Sequence, residues 1–146
     1  MRVPRGRADR NLPLLPASML PEPGWTYYAR LHEESPHPHL WIILTSPDDH
    51  EDDLVVAVSL TTKQPWSDPT VEIGPEEHQF VERPTAVRYS NADFYPPQAF
   101  IRAVLSGKAT RRPSVSEELL ERVRRGLLDS PQTPDRVKDF CRPLFG

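Results

Sequence analysis

Two apolar runs, His39 to Thr45 (His-Leu-Trp-Ile-Ile-Leu-Thr) and Leu54 to Leu60 (Leu-Val-Val-Ala-Val-Ser-Leu), constrain the fold of this chain more than any other feature. Each is too short for a typical helix and rich in β-branched side chains, which lose rotamer freedom in a helix but pack well on a pleated surface. The stretch between them, Pro47 to Asp53, is polar and acidic. The three pieces read as two central strands and the loop that joins them.

Around this pair the chain offers further short strands. Trp25 to Leu31 is aromatic and partly alternating, and it begins after the breaker Pro21, Pro23 and Gly24. Weaker strands are expected at Thr70 to Ile73, around His78 to Val81, and at Ala86 to Ser90, each bounded by Pro or Gly. With 18 prolines in 146 residues, many punctuated connections rather than long elements are expected. Five or six short strands in so small a span predict a curled, SH3-like antiparallel barrel.

Helical signals then take over. Pro96 and Pro97 open a segment whose Phe100, Ile101, Val104 and Leu105 form an apolar stripe ending at Gly107, which predicts a helix over 97–106. Ser114 with Glu117 makes a capping-box pattern ahead of Val115, Leu119, Val123 and Leu127, a helix ended by Pro131. Thr133 and Pro134 start a short last helix to Cys141. The expected fold class is α+β: a small antiparallel SH3-like β-barrel followed by C-terminal helices. Its parts are an N-terminal arm (1–23), a barrel domain (24–105) and a helical extension (106–146) packed on the barrel.

Composition narrows the function classes. The net charge is −3, with Arg2, Arg5, Arg7 and Arg10 crowding the start and Asp48, Asp49, Glu51, Asp52 and Asp53 one short stretch, so a uniformly basic nucleic-acid binder is not indicated. A single cysteine, Cys141, permits no internal disulfide and fits a reducing compartment. No apolar run has the eighteen or so residues needed to cross a bilayer. The apolar stretch Leu12 to Leu20 is broken by Pro13 and Pro16 and reads as an arm rather than a signal peptide. A cytoplasmic protein without membrane association is expected.

No motif fixes a reaction. Three of the five histidines fall in His32-Glu-Glu-Ser-Pro-His-Pro-His39, but the spacing is one residue too long for a helical His-Glu-x-x-His zinc site and two prolines break the helix. The acidic run from Asp48 lacks the glycine and terminal glutamate of a calcium loop. No Gly-rich phosphate loop or nucleophile elbow occurs. No metal and no cofactor are expected.

The order hydrophobic strand (39–47), acidic turn, second strand ending Ser-Leu-Thr-Thr (59–62) resembles the PemK/MazF family of bacterial toxins. Gly24-Trp-Thr-Tyr27 stands where that family opens its first strand, and Phe100 to Leu105 where its C-terminal helix lies, so the resemblance spans about residues 24–105. It implies an SH3-like barrel, a homodimer, an antitoxin-like partner and metal-independent cleavage of single-stranded RNA through the RNA's own 2′-hydroxyl. Thr61 matches the family's strand-terminal threonine, whereas His39 holds the place of its catalytic arginine and Leu40 that of the following proline.

Such cleavage needs a base, an acid and cationic donors for the phosphate. Histidine serves both proton roles near neutral pH. The candidate catalytic residues are therefore His39, Thr61 and His78, each at the edge of an expected strand, with Arg83, Arg88 and Trp66 as RNA-binding residues. Trp66, between Pro65 and Ser67, is the aromatic side chain most expected to be exposed. The alternative is a noncatalytic SH3-like module that binds a protein or nucleic-acid partner.

Overall fold

The computed structural model describes residues 19–31 and 37–146. Strands β1 (Thr26–Ala29), β2 (His39–Ile43), β3 (Val55–Thr62), β4 (Glu72–Ile73), β5 (Thr85–Tyr95) and β6 (Ala109–Arg112) alternate late in the chain with helices α1 (Pro97–Leu105), α2 (Glu117–Asp129) and α3 (Asp135–Phe145). The strands form one antiparallel sheet in the order β4-β5-β3-β2-β1-β6, curled into a half-barrel. The protein is thus α+β, with the expected pair β2 and β3 at the sheet's centre. Residues 1–18 of the expected arm (1–23) lie outside the described residues.

The two apolar runs are continuous rather than alternating because both faces of these strands are covered. On the inner face Leu40, Ile42, Leu44, Val56, Val58 and Leu60 pack beneath α2 and α3. On the outer face Trp41, Ile43, Val55 and Ala57 pack with Tyr27 of β1 and Phe100 of α1. The stripe of α2 lies as its spacing predicts: Leu119, Val123 and Leu127 are buried and Leu120 packs at the edge of the same core.

Four local readings change. Ser116, not Ser114, caps α2, its Oγ accepting from the Leu119 N–H at 3.1 Å, so the helix starts later than the capping-box pattern indicated. Residues 78–81 form a turn rather than a strand. Strand β5 runs on to Tyr95 through a large bulge, because its register jumps from Arg88 opposite Ser59 to Asp93 opposite Ala57. Residues 109–112, expected within the helical extension, form the edge strand β6 paired with β1. Only Ala109 of that strand is buried.

The curl leaves β4 and β6 at opposite edges, and side chains hold these edges together. The His78 Nε2–H donates to the Pro113 carbonyl at 2.5 Å while Nδ1 accepts from the Phe80 N–H at 3.1 Å. The Thr26 hydroxyl donates to the same Pro113 carbonyl at 2.9 Å. Phe80 then lies 4.8 Å from the Tyr28 ring, with the Arg112 guanidinium 4.4 Å above it. His78 is a latch between the segment after β4 and the end of β6.

A buried carboxylate ties the loop before β4 to the end of α2. Asp68, only 7% exposed, accepts from the Ser130 hydroxyl at 2.6 Å, the Thr70 hydroxyl at 2.6 Å and the Thr70 N–H at 2.9 Å. Burial works to raise its pKa, but the hydrogen bonds from Ser130 and Thr70 outweigh it and hold the carboxyl below its ordinary 3.8. The folded value is depressed, so this stabilisation is present above the unfolded value and fades as pH falls through the folded one. Asp68→Asn is expected to cost about 1–3 kcal/mol at neutral pH. In urea melts its deficit relative to wild type should narrow on acidification below about pH 4; a deficit constant from pH 7 to pH 3 would contradict the assignment.

Candidate catalytic centre at the strand ends

Sheet register decides which side chains meet. Trp41 stands opposite Ser59 and Ser59 opposite Arg88. Extended by two residues beyond the Trp41–Ser59 pair, that register carries His39 toward Thr61, and both line one cleft. Because alternate residues share a face, His39, Thr61 and Arg88 lie on the outer face, beside the half that α1 covers. Three of the residues expected from sequence are thus gathered at one end of the sheet by three neighbouring strands.

The imidazole of His39 is partly buried, with Nδ1 3.2 Å from the Leu60 carbonyl oxygen. A carbonyl only accepts, so Nδ1 carries the proton and Nε2 keeps a free lone pair. Burial is the main cause that pulls its pKa below 6.5, and the positive charges of Arg88 and His37 act in the same direction against the Leu60 hydrogen bond. At neutral pH His39 is a neutral base. Arg88 is half-buried and, among the described residues, has no carboxylate partner. A desolvated, unpaired guanidinium is costly unless an anion completes it.

Where β2 begins and β3 ends, a cleft of ≈ 600 Å³ opens at the end of the half-barrel. His39 and Thr61 stand in its lining with His37, Tyr28, Phe80, Arg83 and Arg112. The loop after β3 holds Trp66, 80% exposed, and its Lys63 N–H bonds to the Pro84 carbonyl at 3.0 Å, which ties this loop to the Arg83 turn at the cleft.

His78 does not join this group. It lines a separate hollow of ≈ 420 Å³ with Glu76, Glu77, Pro113 and Ser116, and both its ring nitrogens are engaged by backbone groups. Sequence spacing gave no warning of this, because the turn at 78–81 that captures Nδ1 read as a strand.

Conversely, His37, Tyr28 and Arg112 belong to the cleft and were not singled out as site residues. His37, two residues before His39, stands in the bend that leads into β2. Arg112 was not legible, since it reaches the cleft only through the unrecognised β6.

Among the described residues no group of three or more His, Cys, Asp or Glu side chains is placed to hold a metal ion, and no helix is long and apolar enough to cross a membrane. No model of a known protein family matches this chain, and no curated protein matches it in sequence.

Proposed function

We propose that this protein is a toxin-like endoribonuclease that cleaves single-stranded RNA through the RNA's own 2′-hydroxyl, without a metal. The observation that carries the reading is the gathering on one face of a neutral, partly buried His39 with Thr61 and an Arg88 that has no carboxylate partner among the described residues. Nε2 of His39 takes the 2′-hydroxyl proton, and the 2′-oxygen attacks the phosphorus as the bond to the 5′-oxygen breaks. His37, which lines the same cleft, returns a proton to the departing 5′-oxygen and takes the place of His78, the second histidine of the candidate catalytic set. The products are a 2′,3′-cyclic phosphate and a 5′-hydroxyl end.

Charge on the phosphate oxygens is met by Arg88 and Arg83, and the Thr61 hydroxyl donates to a non-bridging oxygen. Trp66 offers an exposed π-face on which a flanking base stacks. On this reading the protein works in the cytoplasm as a homodimer held in check by an antitoxin-like protein.

The test is incubation of purified protein with mixed-sequence single-stranded RNA in the presence of a chelator. Expected are 2′,3′-cyclic phosphate ends, with cleavage blocked at positions carrying a 2′-deoxyribose. RNA that is bound but stays intact would replace the enzyme by a noncatalytic binding module.

A further inference from the structure

The ≈ 600 Å³ cleft at the end of the half-barrel is lined by the inner-face residues Tyr28, Leu40, Leu60 and Thr62 as well as by His39 and Thr61 of the outer face. That volume lies within the range that holds a drug-sized ligand. One wall is aromatic, with Tyr28 and Phe80 at 4.8 Å and an interplanar angle of 51°. The Arg112 guanidinium carbon sits 4.4 Å from the centre of the Phe80 ring. The wall is fixed, since the His78 latch to Pro113 and the Phe80 N–H bond to His78 hold the 78–80 turn against β6.

The remaining lining is polar and asymmetric in charge. Arg83 and Arg112 have no carboxylate partner among the described residues, whereas cations on the helical side, such as Arg122 and Arg136, are paired with Glu77 and Asp93. Among the described residues Glu82 is the one carboxylate in the lining. An aromatic wall with, among the described residues, two guanidiniums that have no carboxylate partner and one carboxylate matches a planar base that carries a phosphate. A carboxylate accepts best from two adjacent N–H groups, and of the four RNA bases only guanine presents that pair, N1–H and N2–H, on its Watson–Crick edge.

We propose that the cleft is a guanine-nucleotide pocket. The ring stacks on Tyr28, Glu82 accepts from N1–H and N2–H, and Arg83 and Arg112 hold the phosphate. The choice of a nucleotide rests on the RNA reading above, and the pocket makes guanosine the preferred neighbour of the scissile phosphate at His39.

Equilibrium binding of guanosine, adenosine, cytidine and uridine 5′-monophosphates and of inorganic phosphate to the full chain, by titration calorimetry, tests this without any cleavage. Guanosine monophosphate should bind at least about tenfold more tightly than the other four probes, the discrimination expected of one bidentate base contact. Glu82 and Arg112 are exposed, so Glu82→Gln and Arg112→Gln should leave the fold intact while the first removes the preference for guanine and the second weakens guanosine monophosphate by about tenfold. Equal binding of all four nucleotides, no binding, or a preference untouched by Glu82→Gln would overturn the pocket. RNA cleavage without guanine selectivity sinks the pocket alone, and guanine binding without RNA cleavage sinks the nuclease alone.

Discussion

Gly126→Ala is expected to lower the stability of the protein by about 1–3 kcal/mol, although alanine is the better helix former by about 1 kcal/mol. Gly126 lies on the buried face of α2, against Val71 and against Tyr89 of β5. A Cβ there would stand 2.5 Å from Val71 Cγ2 and 2.9 Å from Tyr89 Cζ, and closer still to the Tyr89 hydroxyl oxygen. None of these atoms is free to retreat. Tyr89 is fully buried and its hydroxyl donates to the Val123 carbonyl of α2 at 2.8 Å. Burial drives the pKa of that phenol upward, so the hydroxyl remains a donor at every accessible pH. Chemical denaturation of Gly126→Ala should show the loss. Tyr89→Phe, which removes the oxygen nearest the new methyl group, should cost less in the Gly126→Ala background than in wild type. Additive costs would mean that α2 shifts rather than collides.

This contact illustrates how much of the fold was legible. The strand pair 39–45 and 54–60 was readable because burial on both faces demands an uninterrupted apolar run, and the α2 stripe because Leu119, Val123 and Leu127 repeat at helical spacing. Gly126, in the middle of that stripe, reads by propensity as a weak point, and only the tertiary contact with Tyr89 explains it. Strand β6 escaped notice because an edge strand needs a single buried side chain, here Ala109, while Thr110, Arg111 and Arg112 face solvent. The Tyr89 to Ala92 bulge likewise leaves no mark in the residue pattern, yet it sets the register that brings Arg88 opposite Ser59.

The candidate centre was legible in the same uneven way. His39 and Thr61 were found because strand ends are visible where apolar runs stop, and Arg88 because it sits inside an expected strand. Which histidine accompanies them is a matter of three-dimensional closure. His78 is consumed by backbone partners across the two sheet edges, and its part in holding Phe80 against Tyr28 belongs to the wall of the cleft.

His39→Ala is expected to reduce RNA cleavage by roughly 10²- to 10⁴-fold, the usual worth of a positioned general base. A rate loss alone would not separate a base from a structural residue, so the pH profile carries the test. In wild type the rate should rise as pH increases through the His39 pKa, which lies below 6.5, to a plateau that ends where the proton donor for the 5′-oxygen is lost. Arg88 contributes to that depression through its charge. Arg88→Gln should therefore do two things at once. The plateau falls by roughly 10²- to 10³-fold as phosphate stabilisation is lost, while the acid limb moves upward toward the ordinary value of 6.5 because a neighbouring cation is gone. Arg88→Lys, which keeps the charge but not the planar fork, should restore the position of the acid limb better than the height of the plateau. Loss of rate with an unmoved acid limb in Arg88→Gln would show that Arg88 and the titrating base are not neighbours, and an unchanged rate in His39→Ala would remove His39 from the chemistry.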